Sequence, residues 1–262
     1  MSQKQPTIIK IADPALCEDA CRAIYAQRPR WRGWRLNGQP TFYTLGGVSY
    51  LDLRFRLKSV DEYLNSAGSL WQWAGDATLS IFERVRCALE TCLGAPVEYP
   101  AVLPPPGFHI FIGAAIPKTD CSRNVLDCGA SHFDLQYDEI PWDRWYADVD
   151  FSRAISLTLA LKLPAEGGGL TYWDSITLES VRASSERRGF ADIYEGYDVL
   201  NVPALANVTP SSTIPYAVGS MVVHDSHVLH QIAGIAKTRA TDERITVQGH
   251  GVFADGAWRL FW

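Results

Sequence analysis

The second half of the chain alternates short apolar runs with glycine, proline and aspartate, and this pattern constrains the fold more than any other feature. Many short strands with few helices among them are typical of a sandwich or a jelly-roll barrel. An Ala-Asp-Gly turn at 254–256 predicts a hairpin between the last two strands. We therefore predict a mainly β protein with flanking helices, with strands at Phe108–Gly113, Ala154–Leu163, Leu170–Trp173, Tyr216–His224, Gln231–Ile235, Arg244–Phe253 and Trp258–Trp262.

The first 100 residues are instead expected to form a helical support region. Asp13 is a predicted N-cap followed by a proline, and residues 76–93 place apolar side chains at helical spacing before Gly94. Between these helices, residues 46–55 predict a strand. We expect a single domain over 1–262, with its jelly-roll core at 101–262 and an irregular, lid-like insertion at 174–213.

Composition excludes several classes of protein. The 24 Lys and Arg residues against 29 Asp and Glu give a net charge of −5, which argues against a nucleic-acid partner. No apolar run is long enough to span a membrane, and the first residues show no secretory signal, so we expect a cytoplasmic protein without a membrane partner. The six cysteines lack zinc-site spacing and are expected to be free thiols. A disulfide between Cys121 and Cys128 is the alternative for that pair.

The histidines predict a metal site. His132 and Asp134 stand two positions apart, so on a strand both side chains point to one face. A third ligand must come from another strand, and the segment 218–234 offers His224, His227 and His230. Two imidazoles and one carboxylate on one face of an octahedron leave three positions open, as in the non-haem Fe(II) oxygenases.

A second pair of residues predicts an anion site. Arg244 and Thr246 again share one face of a strand. A guanidinium group binds a carboxylate with two parallel hydrogen bonds, and a hydroxyl group adds one more.

In this order, the motifs resemble the Fe(II)/2-oxoglutarate-dependent dioxygenases, in particular their prolyl-hydroxylase-like branch. The matching residues are His132-Phe133-Asp134, the GGLTYW segment at 168–173, Gly219, the DSHVLHQI segment at 225–232 and Arg244-Ile245-Thr246. The resemblance implies a double-stranded β-helix, which is a jelly-roll or cupin-like core. It also implies Fe(II) ligation by His132, Asp134 and His230, with His227 as the second choice and His224 as the third.

By the same resemblance, Arg244 and Thr246 would bind 2-oxoglutarate, and we add His109 to this co-substrate site, with a purely structural role as its alternative. The predicted substrate pocket comprises Phe133, Gln136, Thr171 and Trp173. The alternatives are that Gln136 faces solvent and that Trp173 only fills the core.

The activity implied is hydroxylation of an unactivated C–H bond of a small molecule, such as a free amino acid or a natural-product intermediate. O₂ is consumed, and succinate and CO₂ are released. Asp134 departs from the halogenase relatives, which have a small residue there. The alternatives are a cupin-type metalloenzyme or a binding module that does not use 2-oxoglutarate. We expect a monomer or a homodimer.

Overall fold

The computed structural model describes residues 5–36, 39–113, 131–186, 206, 208–233 and 239–262. Five α-helices and twelve strands lie in these ranges, together with short 3-10 turns. In chain order they are β1 (Thr7–Lys10), α1 (Pro14–Ala26), β2 (Arg32–Leu36), β3 (Gln39–Leu45), α2 (Tyr50–Arg54), α3 (Val60–Asn65), α4 (Asp76–Leu93), β4 (Val97–Glu98), β5 (Gly107–Ile112), β6 (Val149–Lys162), β7 (Leu170–Thr177), α5 (Leu178–Glu186), β8 (Ser212–Ile214), β9 (Ser220–Asp225), β10 (Val228–Ile232), β11 (Glu243–Ala254) and β12 (Ala257–Phe261).

The described strands form two sheets. The major sheet has nine strands in the order β1-β9-β6-β11-β5-β3-β2, and β12 pairs with the second half of β11 and with β4. The minor sheet has the order β10-β7-β8. Apart from the parallel pair β4–β12, every pairing is antiparallel.

The two faces of the major sheet differ in polarity. Along β6, Leu157 and Leu159 alternate with Ser156 and Thr158, so the leucines lie on one face and the hydroxyl groups on the other. The leucines pack in an apolar core with side chains of α1 and α4, including Ile24. The outer face of the sheet is therefore covered by helices, and its inner face carries the polar side chains.

The minor sheet packs toward this inner face. Leu229 of β10 and Trp173 of β7 share a second apolar cluster with Ala154 of β6 and Val252 of β11. This cluster links the minor sheet to the apolar residues at one end of β6 and β11.

The prediction of a helical support region holds only in part. The first 100 residues contain α1, α2, α3 and α4 but also β1, β2, β3 and β4. Strand β1 extends the major sheet at β9, and the β2–β3 hairpin extends it at β5. This part of the chain supplies strands because the core strands leave sheet edges whose backbone groups need partners.

Residues 46–55, predicted as a strand, contain α2 instead. Ser49 precedes the helix, and its backbone N–H donates to Asp52 Oδ2 at 2.9 Å. This capping box starts a helix at residue 50 despite the alternating apolar residues that follow.

The segment 174–213 is more regular than predicted. Strand β7 continues to Thr177, and α5 follows it directly. Residues 187–205 lie outside the described part, as do Cys121 and Cys128. Cys17, Cys21, Cys87 and Cys92 are free thiols. None of the described helices has the length and apolarity needed to cross a membrane.

Candidate metal centre

His132, Asp134 and His230 converge at the boundary between the two sheets. One potential ligand atom from each residue lies within 4.8 Å of the others. His132 Nε2 is 3.4 Å from Asp134 Oδ1, and His230 Nε2 is 3.2 Å from Asp134 Oδ2. All three side chains are largely buried, with residue exposures of 9%, 3% and 6% respectively.

Backbone pairing brings these residues together. His132 and His230 form an isolated antiparallel bridge, in which each backbone N–H donates to the carbonyl of the other at 2.9 and 3.1 Å. The backbone N–H of Asp134 donates to Ser226 O at 3.0 Å in the turn between β9 and β10. The segment that carries the first two ligands is therefore fixed against the strand that carries the third.

The orientation of His230 suits a metal ligand. Its Nδ1 lies 3.0 Å from Val228 O. A proton on Nδ1 donates to this carbonyl and leaves the Nε2 lone pair directed toward Asp134. Burial alone would lower the pKa of His230, but the adjacent Asp134 carboxylate raises it above its usual value.

Asp134 is an ionised carboxylate with two side-chain donors. Gln136 Nε2 donates to its Oδ1 at 2.9 Å, and Ser156 Oγ donates to its Oδ2 at 2.5 Å. Burial opposes ionisation, yet His230 and His250 hold the pKa of Asp134 well below its usual value.

The two alternative histidines occupy other places. His227 Nε2 is 2.7 Å from the hydroxyl of Tyr137, and its Nδ1 is 3.2 Å from Asp225 Oδ1. The His224 ring packs 4.3 Å from the His230 ring, and its Nδ1 lies 3.1 Å from Asp225 O. His227 and His224 thus lie beside the triad and outside the group of converging ligand atoms.

Arg244 lies on the same inner face, at the start of β11. It is 1% exposed, its Nε donates to Gly168 O at 3.3 Å, and its guanidinium lies over the rings of Phe111 and Tyr216. The Tyr216 hydroxyl hydrogen-bonds with Arg244 and Thr158. Gly168 has a φ of +78°, and a Cβ there would lie 3.4 Å from Arg244 Cδ, so a glycine suits both its backbone and this close approach.

Thr246 and His109 are neighbours of Arg244 in the sheet. They pair directly across β11 and β5, so both side chains lie on the inner face. Thr246 Oγ1 and His109 Nε2 are buried without a hydrogen-bond partner among the described residues. Buried polar atoms of this kind are rare in proteins, and these two are available to hydrogen-bond with a polar ligand.

The remaining buried histidines are uncharged. Burial lowers the pKa of His109 to about 3, with a further contribution from Arg244. Burial likewise lowers the pKa of His224 to about 3, and that of His250 to about 4. At neutral pH these side chains provide neutral hydrogen-bonding groups around one carboxylate and one guanidinium.

The predicted substrate-pocket residues fall into two groups. Gln136 is buried and contacts Asp134 directly. Phe133 is buried in the second apolar cluster, and Trp173 lies in the same cluster and donates its indole N–H to Ala206 O and Thr209 O. Thr171 pairs with Gln231 and contacts Thr213.

The register of β7 and β10 identifies another residue on the metal-facing side. Tyr172 pairs with His230, so these two side chains share one face, and those of Thr171 and Trp173 lie on the other. Thr171 and Trp173 were predicted to lie near the pocket because they share one face of their strand. Only the pairing with β10 shows that this face points away from His230.

Four further polar residues were not assigned by the sequence interpretation. They are Ser156, Thr158, Tyr216 and His250. The alternation of Ser156 and Thr158 with leucines is a readable signal, since it marks a polar inner face. Nothing in the sequence around Tyr216 indicates its contact with Arg244.

The donor set fits a divalent transition metal with open coordination positions. Two imidazole nitrogens and one carboxylate suit iron, whereas Ca²⁺ and Mg²⁺ prefer oxygen ligands throughout. Across the inner face, Arg244 and Tyr216, with the unsatisfied hydroxyl of Thr246, fit a carboxylate-bearing small molecule.

Comparison with known proteins supports the fold. No protein-family model matches the sequence, and no curated protein matches it either. Among solved structures, an N-substituted L-amino acid dioxygenase from Burkholderia ambifaria AMMD, in complex with alpha-ketoglutarate, matches with a TM-score of 0.53 and 13% identity over 98% of this chain and 86% of that one.

Two proteins of nogalamycin biosynthesis match similarly. The non-heme alpha-ketoglutarate-dependent carbocyclase SnoK has a TM-score of 0.54 and 13% identity, over 94% of this chain and 78% of its own. The epimerase SnoN, solved with Fe3+, alpha-ketoglutarate and nogalamycin RO, has a TM-score of 0.50 and 15% identity, over 97% and 81%.

These similarities establish the fold of the chain. It shares the jelly-roll fold of the non-heme alpha-ketoglutarate-dependent oxygenases, as the resemblance in the sequence implied. The predicted mainly β class is confirmed.

Proposed function

We propose that this protein is an Fe(II)- and 2-oxoglutarate-dependent oxygenase that hydroxylates a C–H bond of a small molecule. The observation that carries the proposal is the convergence of His132, Asp134 and His230 on the same inner face as Arg244. Bound iron would supply the chemistry, in which O₂ cleavage and oxidative decarboxylation of 2-oxoglutarate to succinate and CO₂ drive substrate oxidation.

The charges of the site support this pair of cofactors. Asp134 and Arg244 are both charged and buried, with exposures of 3% and 1%. The charges of a divalent iron ion and Arg244 would balance those of Asp134 and the two carboxylates of 2-oxoglutarate. Because His109, His224 and His250 stay neutral, they would not disturb this balance.

Each residue has a distinct task in the proposed reaction. His132, Asp134 and His230 hold iron on one side and leave three positions open. Arg244 binds the distal carboxylate of 2-oxoglutarate, assisted by the hydroxyl groups of Thr246 and Tyr216. The apolar cluster that contains Phe133 and Leu229 lies beside the site and excludes water from one side of it.

The substrate class is inferred from two features. Asp134 retains the carboxylate ligand, which supports hydroxylation or a related oxidation over halogenation. The structural neighbours named above act on an amino acid derivative and on nogalamycin intermediates by their names, and we propose a small molecule of comparable size here, with Gln136 and Tyr172 near it.

The first test is an anaerobic titration of the metal-free protein with Fe(II) and 2-oxoglutarate, followed by visible absorption. Chelation of iron by the keto acid is expected to give a weak charge-transfer band, and release of succinate under air then permits a substrate screen. Bound iron without this band would contradict the proposal and favour a cupin-type enzyme or a binding module.

Arg244→Ala tests the co-substrate site. Loss of two charge-assisted hydrogen bonds is expected to raise the Kd of 2-oxoglutarate about 10–100-fold, with little change in the Kd of the metal ion. The band from the titration above measures both. Arg153→Ala is the matched control, because this exposed arginine of β6 lies over the Phe253 ring. Equal 2-oxoglutarate affinity in both variants would contradict the assigned role.

A further inference from the structure

Both oxygens of Asp134 are held by side chains that are not themselves metal ligands. Gln136 Nε2 donates to Oδ1 at 2.9 Å, from the 3-10 turn that follows the ligand segment. Ser156 Oγ donates to Oδ2 at 2.5 Å, from the middle of β6. The carboxylate thus accepts hydrogen bonds from two separate structural elements.

Ser156 is itself fixed in place. It is 3% exposed and pairs with His224 of β9 on one side and His250 of β11 on the other. Its Oγ lies 2.9 Å from Ser226 Oγ and 3.3 Å from His250 Nδ1. Because β6 is a central strand, the position of this hydroxyl is set by the major sheet.

These two hydrogen bonds matter because a carboxylate binds a metal ion through one oxygen or through two. Two-oxygen binding by Asp134 would occupy a fourth coordination position. Only two positions would then remain for a chelating co-substrate and O₂ together. Hydrogen bonds to both oxygens fix the orientation of the carboxylate and so resist the rotation that would bring both oxygens equally close to the metal ion.

We propose that Ser156 and Gln136 are positioning residues that hold Asp134 in one-oxygen coordination and so keep three metal positions open. This inference rests on the metal site of the proposed function. It explains why a serine and a glutamine that are not themselves metal ligands are buried against the same carboxylate.

The test is a count of metal-bound water with Mn(II), which binds the same ligand types and relaxes the protons of water attached to it. Saturating Mn(II) is added to wild type, Ser156→Ala and Ser156→Thr, and the proton relaxivity of water is measured. Two-oxygen coordination replaces one of three waters, so Ser156→Ala is expected to lose about a third of the inner-sphere relaxivity. The Kd of this variant for Mn(II) is expected to rise by about 10-fold or more.

Two controls separate positioning from general damage to the fold. Ser156→Thr keeps the hydroxyl and is expected to restore the wild-type relaxivity. Ser152→Ala makes the same change at an exposed serine of β6 that contacts Asp150, and wild-type values are expected there as well.

The possible results separate the positioning role of Ser156 from the metal site itself. Wild-type relaxivity in a folded, Mn(II)-saturated Ser156→Ala variant would overturn the positioning role and leave the metal site intact. If the wild type binds no Mn(II), or if His230→Ala binds it equally well, the proposed metal site itself fails. Should Ser156→Ala not fold or not bind Mn(II), Gln136→Leu decides, since it removes the other donor and is expected to lower the relaxivity equally.

Discussion

Neutral histidines around a single buried carboxylate are the main electrostatic feature at the scale of residues. His109 illustrates the cause, because it lies against the Phe42 ring at 5.3 Å and opposite Thr246 in the sheet. A protonated imidazole there would be buried close to the Arg244 guanidinium. Burial and this like charge therefore lower its pKa to about 3.

His109→Phe tests this effect through the pH dependence of stability. In the unfolded chain the imidazole takes up a proton below about pH 6.5, whereas the folded protein resists protonation down to about pH 3. Acid therefore favours the unfolded state, and the stability contributed by a neutral His109 is lost as the pH falls from 6.5 toward 3. Between pH 6.5 and 4.5 this loss amounts to at most about 2.7 kcal/mol.

The measurement is the free energy of unfolding in urea for the metal-free protein at pH 7.5, 6.5 and 4.5. The variant is expected to lose less stability than wild type between pH 6.5 and 4.5. The value at pH 7.5 gives the packing effect of the substitution itself. Equal losses in the two proteins would show that His109 titrates normally.

The sequence points to the candidate ligand residues more directly than to the residues that orient them. The two-residue period of a strand places His132 and Asp134 on one face, and the resemblance to the dioxygenases singles out His230 among three histidines. Ser156 and Tyr216 are far from these motifs in sequence. Their contacts depend on strand register and on the path of the segment before β9, which one-dimensional patterns do not contain.

At the scale of elements, β11 shows how one strand serves both packing and chemistry. Ile245 and Val247 lie in the apolar core beneath the helices, while Arg244, Thr246 and His250 are buried on the other face. A strand covered on both sides usually reads as continuously apolar. Here the regular alternation is what made the strand and its functional face predictable.

Helix α2 marks the opposite case, since its alternating apolar residues predicted a strand. The capping box of Ser49 and Asp52 provides the local start signal that outweighs this alternation. Tyr50, the first residue of the helix, then packs edge-on against His250 at 4.9 Å. The short helix thus forms one wall of the site.

Gly94 offers an element-scale prediction, because it ends α4 with a φ of +67°. A Cβ there would meet no atom within 4 Å, so Gly94→Ala isolates backbone strain. It is expected to lower the free energy of unfolding by about 1 kcal/mol. Gly68→Ala is the matched control, with equally open space and no left-handed backbone. Equal melting temperatures for the two variants would contradict this interpretation.

For the whole molecule, the triad joins parts of the fold that are distant in sequence. His132 and Asp134 belong to the segment after β5, His230 to the minor sheet, and Ser156 ties Asp134 to the major sheet. A bound metal ion would therefore cross-link both sheets. Its binding energy would add to the stability of the entire domain.

Mn(II) in the absence of 2-oxoglutarate is accordingly expected to raise the melting temperature. At 100 times its Kd, a ligand specific for the folded state contributes about 2.7 kcal/mol, which corresponds to a shift of about 5–10 °C for a domain of this size. Mg²⁺ is expected to have a much smaller effect, because the site offers two imidazoles where that ion prefers oxygen.

His230→Ala and His227→Ala give the decisive comparison, as the two histidines lie three positions apart in one segment. Loss of His230 removes a ligand and is expected to abolish the shift. Loss of His227 removes only the contacts with Tyr137 and Asp225, so the starting stability falls while the Mn(II)-dependent shift persists. A shift that survives in His230→Ala and disappears in His227→Ala would identify His227 as the metal ligand instead. The coordination positions left open would then differ from those that the proposed reaction requires.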